Sequence, residues 1–429
     1  MTSFRVPFRR TALAALCLAI AAPAAAAPDE SVRTLAAKQK APLIDTLKDL
    51  VGIESGSGDR EGLDRIAEVV AARLRALGGA IETIEPDPAD IYPMADTPKQ
   101  IGKMVQARFT GSGTKKILLI AHMDTVYLRG MLAQQPFRID GNRAYGLGIA
   151  DDKNGIAVIL HTLSILREMN FRDYGVLTVL INADEEVSSP GSRATLTRLG
   201  SAHDAVFSCE GSRVESDQLS LTTAGIAAVA LHVRGKASHA GAAPEKGRNA
   251  LYEMAHQILQ TRDLSDPEIG VKMNWTLARA GTNRNVIPAD ATAMADVRVL
   301  RVADYDGIEQ KVRERIKKQL ISDTTVEMTF ERRRPPLEVT PAARALAAHA
   351  QGVYAEIGDK LIVRDVAEGG GTDAAFAALR TTAPVIERFG LRGFGSHSND
   401  AEYVDLDSVE PRLYLLTRMI MDVSQGKAD

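Results

Sequence analysis

Lys116-Ile117-Leu118-Leu119-Ile120-Ala121 is an almost wholly apolar run, and it leads straight into His122-Met123-Asp124. A short apolar run of this kind reads as a strand covered on both faces. The pattern returns at Val176-Leu177-Thr178-Val179-Leu180-Ile181 and at Ala205-Val206-Phe207-Ser208. Between them, residues 154–168 switch to helical spacing through Ile156, Ile159, Leu160, Leu163 and Leu166, and a short helix is predicted near 191–199. Apolar strands alternating with helices predict an α/β fold, a mostly parallel sheet with helices on both faces. Upstream, residues 31–80 are predicted helical, with Leu63, Ile66, Val69, Val70, Leu74 and Leu77 on one face and Gly78-Gly79 as the stop. Downstream, helices predicted over 341–357 and 410–423 fit the same domain.

The pattern changes near Leu221. Strands are predicted over 226–234, 271–280, 291–299 and 325–332, with helices over 246–262 and 305–319. That order describes a small α+β unit of split-βαβ type. Arg332-Arg333-Arg334-Pro335-Pro336 marks its exit. The expected organisation is a leader over 1–26, a first part of the large domain over 27–222, an inserted unit over 223–336, and a second part over 337–429.

The leader is read from three features. Arg5, Arg9 and Arg10 form a basic start, an apolar run extends from Thr11 to about Ala22, and Pro23-Ala24-Ala25-Ala26-Ala27 follows as small residues suited to cleavage. This is the layout of a secretory signal peptide and predicts a periplasmic or secreted protein. A membrane anchor is the alternative, but the apolar run is too short to span ~30 Å of hydrocarbon. Arg9-Arg10 also leaves twin-arginine export open. Loss of three arginines takes the formal charge from −3 to −6. A mildly acidic chain does not suit a nucleic-acid or membrane-surface binder. Cys17 leaves with the leader, so Cys209 remains alone and no internal disulfide is expected; its neighbours Val206 and Phe207 make it a packing residue.

Acids and histidines gather where the predicted strands end. His122 and Asp124 share one side of their strand, so Asp124 can reach one ring nitrogen while the other faces a metal. Gly146-Leu147-Gly148-Ile149-Ala150-Asp151-Asp152 places two carboxylates at a helix entry. They can cap that helix, or, following His122-Met123-Asp124, one of them can bridge two cations. Asp184-Glu185-Glu186 follows the strand 176–181, and three adjacent acids there call for cations. Glu210 repeats the theme after 205–208, and His397 lies in the glycine-containing loop Gly395-Ser396-His397-Ser398. Ligands of α/β sheets collect along the carboxyl edge. Two histidines, one aspartate and two glutamates suit Zn²⁺ or a similar ion, with one glutamate to spare as a base. Spacing alone does not separate Glu185 from Glu186.

Several segments together resemble the aminoacylase-like zinc metallopeptidase family, in particular its carboxypeptidase G-like (glutamate carboxypeptidase) branch. They are Ala121 to Tyr127, Gly148 to Lys153, Gly235-Lys236-Ala237-Ser238-His239-Ala240-Gly241-Ala242, Gly369-Gly370-Gly371-Thr372-Asp373-Ala374 and Ala401-Glu402-Tyr403-Val404-Asp405. The resemblance runs from Leu50-Val51 to Met419-Asp422. It implies two zinc ions, one held by His122 and Glu210, the other by Glu186 and His397, with Asp151 bridging and a cis bond between Asp151 and Asp152. It implies Glu185 as general base and Asp124 as the residue that orients His122. It implies that the inserted unit is a lid through which the chain dimerises. From that lid His239 would stabilise the oxyanion, while Asn285, Arg298, Arg334, Gly370 and Thr372 would face the substrate, which carries a free terminal carboxylate. The sequence departs at Asn154, where similar chains have glycine, and at Gln218, where a lysine near the substrate carboxylates is expected.

The expected activity is hydrolysis of an amide to release a C-terminal amino acid, glutamate first. An N-acyl amino acid deacylase or a dipeptidase would use the same metals, and a binding protein without turnover would use only the cleft.

Overall fold

The fold is that of a computed structural model, which describes residue 2, residues 27–398 and residues 401–428. Apart from Thr2, the leader expected over 1–26 lies outside them. The chain opens with helices α1 (Glu30–Val51) and α2 (Arg60–Ala76). The single helical stretch expected over 31–80 is therefore two helices. Gly56 explains the break: a Cβ there would come within 2.3 Å of the Tyr127 carbonyl oxygen, so the chain passes too close for any other residue. Asp59 then caps α2 by accepting from Gly62 N at 3.1 Å.

Strands β1 (Ala80–Ile84), β2 (Met104–Thr110) and β3 (Lys116–His122) follow, then the hairpin β4 (Arg138–Asp140) and β5 (Arg143–Tyr145). Helix α3 (Asn154–Glu168), β6 (Val176–Asn182), α4 (Arg193–Ser201) and β7 (Ala205–Ser208) fall where the periodicity predicts them. The short β8 (Ser212–Arg213) and β9 (Gln218–Ser220) lead into β10 (Gly225–Arg234), α5 (Ala250–Thr261), β11 (Lys272–Ala280), β12 (Asp290–Val299), α6 (Asp304–Ile316) and β13 (Thr325–Arg334). The chain closes with α7 (Pro341–Glu356), β14 (Ile362–Arg364), α8 (Ala374–Ala378), β15 (Val385–Ile386), β16 (Arg392–Phe394), β17 (Tyr403–Asp405) and α9 (Val409–Ser424).

The main sheet runs β1-β2-β6-β3-β7-β15. β6, β3, β7 and β15 are parallel, and β2 and β1 add an antiparallel edge. Alternation along β3 supplies both cores. Ile117, Leu119 and Ala121 pack among α1, α2, α3 and α9, while Leu118 and Ile120 face Leu196, Leu199 and Phe376 from α4 and α8. Burying a leucine such as Leu119 contributes roughly 1.5–3 kcal/mol. A sheet covered on both faces leaves its carboxyl edge as the place where functional loops emerge.

The second unit is β10-α5-β11-β12-α6-β13, an antiparallel sheet in the order β11-β12-β10-β13 with α5 and α6 on one face. Its core faces are Ala227, Val229, Leu231 and Val233 of β10 and Ala291, Ala293, Ala295, Val297 and Val299 of β12. Entry and exit lie side by side: Thr223 N donates to the Leu337 carbonyl at 3.2 Å, and Leu337 N donates to Thr223 Oγ1 at 3.2 Å. That pairing is how one chain leaves the large unit and re-enters it at the same point. Among the described residues no helix is long and apolar enough to cross a membrane.

Candidate metal centre and active site

His122 ends β3, Glu185 and Glu186 follow β6, and Glu210 follows β7, so three parallel strands deliver them to one edge. Asp151 arrives on the turn before α3, and His397 on the loop after β16. His122, Asp151 and Glu210 form one group whose ligand atoms lie within 4.8 Å of one another; Asp151, Glu186 and His397 form a second, and Asp151 belongs to both. His122 Nε2 is 3.0 Å from Asp151 Oδ1 and 3.5 Å from Glu210 Oε1. His397 Nε2 is 3.0 Å from Glu186 Oε2 and 3.4 Å from Asp151 Oδ2.

The Asp151–Asp152 bond is cis, as the resemblance implies. The two carboxylates part company there. Asp151 enters the cluster, whereas Asp152 Oδ1 accepts from Gly155 N at 3.2 Å and caps α3. Asp152 thus takes the helix contact, and Asp151 stands where a ligand could act. Asn154 has a task where similar chains have glycine: its amide donates to the Ala150 carbonyl at 2.9 Å, and its Oδ1 accepts from Leu391 N at 2.6 Å, bracing this turn.

Asp184-Glu185-Glu186 divides in the same way. Asp184 points inward, accepting from Ser192 Oγ and Gly191 N, both at 2.6 Å, and contributes no ligand. Asp124 holds the other two through their backbones. Its Oδ1 accepts from Glu185 N at 3.0 Å, and its Oδ2 accepts from Glu186 N at 3.1 Å and Ser57 Oγ at 2.8 Å. His122 Nδ1 lies 3.3 Å from Asp124 Oδ1 and 3.1 Å from the Asp124 carbonyl, so its proton sits on Nδ1 and Nε2 is left for the cluster.

The charges in this cluster demand a counter-charge. Burial, and then the Asp151 charge, push Glu186 up to about 8. Burial also raises Glu210. Burial works against a charged His122, but Glu210, Asp124 and Asp151 outweigh it and hold its pKa well above the usual value. Hydrogen bonds to Asp151 and Glu186 lift His397 to about 10. Burial pushes Asp151 up as well, yet His122 and His397 hold it below the usual carboxylate range. Glu186 Oε1 is buried with no hydrogen-bond partner. Carboxylates that crowd together and leave an oxygen unpaired fit cations between them. Mixed imidazole and carboxylate donors suit Zn²⁺ and similar ions.

Arg334, the last residue of β13, is buried against Glu185. Nη1 donates to Glu185 Oε1 and Nη2 to the Glu185 carbonyl, while Nε has no partner. Its neighbours diverge to the surface, Arg332 to Asp306 and Glu309 and Arg333 to Asp96 and Glu331. Arg298 pairs with Asp296 and donates to the Gly369 carbonyl at 3.0 Å, tying the second unit to the glycine-rich loop. In that loop the Gly370 carbonyl accepts from Ala224 N at 2.8 Å, and the Thr372 hydroxyl is buried beside the Glu387 carboxylate. His239 and Asn285 lie side by side and exposed on the second unit, joined by the bond from Ala240 N to the Asn285 carbonyl at 2.9 Å. His239 Nδ1 accepts from Gly241 N and Ala242 N, both at 3.1 Å, so the contacts described for it are local. Gln218 is buried, with its side-chain oxygen accepting from Arg364 Nε at 3.2 Å. Cys209 is free and buried, a packing residue.

Sequence spacing gave no role to Tyr127, Ser57, Asp373 or Glu402. Asp373 anchors the glycine-rich loop, accepting from Ser189 Oγ at 2.5 Å and Asn182 Nδ2 at 2.6 Å. Tyr127, Asp373 and Glu402 lay inside segments that carry the family resemblance, and that was the available signal.

A sequence model of peptidase family M20/M25/M40 matches residues 118–422. The chain is 42% identical over 426 residues to carboxypeptidase G2 of Pseudomonas sp. strain RS-16, covering 99% of this chain and all of that one. It is 29% identical to the acetylornithine deacetylase of Klebsiella pneumoniae, over 52% of this chain and 56% of the relative. Among solved structures, the aminopeptidase PepT of Bacillus cereus superposes with a TM-score of 0.73 at 21% identity, covering 90% of this chain and 98% of that one. A dinuclear metal-binding peptidase of Bacillus subtilis superposes at 0.64 and 15% identity, covering 92% and 99%.

Proposed function

The chain belongs to peptidase family M20/M25/M40, and from that premise we propose that it is an exported hydrolase that holds two zinc ions and cleaves an amide bond to release a C-terminal amino acid, glutamate first. One observation carries this reading: two ligand groups share Asp151, and Glu185 adjoins Glu186 on the loop that Asp124 fixes. His122 and Glu210 hold one ion, Glu186 and His397 the other. Zinc, when bound, supplies Lewis-acid polarisation of the scissile carbonyl and a more acidic water. Glu185 takes the proton of the attacking water and returns it to the leaving nitrogen. Asp124 keeps Glu185, Glu186 and His122 in their places.

Arg334, Arg298, Asn285, Gly370 and Thr372 receive the substrate. The unpaired Arg334 Nε supports this, because a buried donor without a partner awaits a ligand. The Arg334 fork lies on Glu185 and the Arg298 fork on Asp296, so one of them turns from its carboxylate to take the terminal carboxylate of the substrate. His239 donates to the oxyanion once the second unit, as a lid, brings it near. That unit also forms the homodimer contact: Leu251, Tyr252 and Leu259 of α5 and Leu277 of the edge strand β11 are exposed apolar side chains on it. The exported state rests on the basic and apolar start of the sequence.

A second reading is favoured by Gln218. It is neutral, buried and engaged by Arg364 where a lysine is expected, which supports a leaving group other than glutamate, as in an N-acyl amino acid deacylase or a dipeptidase. The test is metal analysis together with product identification on folates, α- and γ-glutamyl peptides, N-acetyl amino acids and free dipeptides. Release of glutamate from folates or glutamyl peptides supports the first reading, and release from N-acetyl amino acids or dipeptides alone supports the second. Binding without product in zinc-loaded protein sinks both.

A further inference from the structure

Asp151 and His397 are both carried by irregular backbone, and the same two side chains hold both segments. Glu402, just before β17, fastens the Asp151 turn. Its carboxylate accepts from Ala150 N at 2.7 Å, Gly148 N at 3.0 Å and Asp151 N at 3.1 Å. Its backbone carbonyl accepts a further bond from Gly146 N at 3.3 Å. Glu402 is buried, and the remaining partner of its carboxylate is the Tyr127 hydroxyl, just beyond β3. That hydroxyl also lies 3.0 Å from the carbonyl oxygen of Ser398, the residue after His397. Its single proton is therefore placed between an acceptor on each segment.

His397 has little else to fix it. Its side chain is 56% exposed, and its backbone is left-handed at φ 64. The other cation position is built differently. His122 is 1% exposed and fixed by Asp124, and the Glu210 carbonyl accepts from Gly390 N at 2.9 Å. None of those contacts passes through Glu402 or Tyr127, although Asp151, which Glu402 holds, belongs to both positions.

We propose that Glu402 and Tyr127 are positioning residues for the Glu186–His397 cation position: they clamp the Asp151 turn to the His397 loop and so set the spacing of those two ligands. His122 and Glu210 have supports of their own and share only Asp151 with the clamped position. The clamp touches neither cation nor substrate. It spares cation binding the cost of ordering a mobile ligand, and removing supports of this kind typically costs 10- to 100-fold in metal affinity. The inference rests on the reading that the cluster binds two cations, and the experiment separates the two ideas.

Metal-stripped protein is titrated with Co²⁺, following visible absorption, with a chelator competition for each equivalent. Tyr127→Phe keeps the ring and removes only the hydroxyl. The second equivalent is expected to bind about 10- to 100-fold more weakly while the first changes less than about threefold, so that a one-cobalt form accumulates. Glu402→Gln, which replaces one acceptor of the clamp by a donor, also loosens the Asp151 turn that both positions share, so it is expected to weaken both equivalents. Unchanged affinities for both equivalents, or equal losses of both, in folded Tyr127→Phe overturn the clamp. An unaltered chain that binds fewer than two equivalents overturns the two-cation reading and the clamp with it.

Discussion

Asp124→Asn changes one atom at the hub of the centre, and its cost follows from the bonds. Asp124 is fully buried, and its two oxygens accept from Glu185 N, Glu186 N and Ser57 Oγ. An asparagine keeps one oxygen and gains an amine. If the amine takes the Oδ1 position it meets Glu185 N–H. If it takes the Oδ2 position it meets Glu186 N–H, while the serine hydroxyl can turn to accept. Either way one buried backbone donor is stranded, at about 1–3 kcal/mol, and the surviving bonds lose their charge assistance. The sum is about 2–4 kcal/mol, which lowers Tm by roughly 2–5 °C for a chain of 429 residues. His122 also loses the charge 3.3 Å from its Nδ1, so zinc affinity is expected to fall by about 10- to 100-fold. The assay is differential scanning calorimetry on stripped and zinc-loaded protein, with chelator competition for affinity. A variant within about 1 °C of the parent (roughly the effect of 1 kcal/mol) whose zinc affinity has also moved by no more than about threefold would refute the hub role.

Glu185→Gln is expected to keep both metals, by direct metal analysis, and to lose at least about 10²-fold in kcat; near-normal turnover would reassign the base. His161 is buried, its ring nitrogens 2.7 Å from Gln39 Oε1 and 2.9 Å from Thr46 Oγ1, and burial lowers its pKa to about 4. The unfolded chain therefore binds a proton between about pH 6.5 and 4 that the folded chain refuses, so stability falls as pH drops through this window, by up to ~3 kcal/mol. Urea unfolding of His161→Gln should show a shallower pH slope there, and an unchanged slope would assign it to other groups. Leu277→Lys on the edge strand is expected to convert a dimer to monomer by light scattering; an unaltered mass would place the contact elsewhere.

The local elements were legible because their signals are local. Strands β3 and β7 follow from short apolar runs and helix α3 from a period of 3.6, all within a few residues. The break between α1 and α2 was not, because it depends on Gly56 passing Tyr127. The short β8, β9 and β14 have too few residues to carry a period.

At the site, the sequence by itself determined which loops carry acid and histidine and that three of them leave neighbouring strand ends. Only the tertiary structure decided which member of each acidic pair faces the cluster. Asp152 turns to its helix, Asp184 to Ser192 and Glu185 to Arg334, while Asp151 and Glu186 turn to the centre. It alone brought Arg334 onto Glu185 across a separation of 149 residues, and Tyr127 and Glu402 together across 275. A carboxylate's direction is set by the donors around it, and here those donors come from distant parts of the chain, where no spacing rule can reach them.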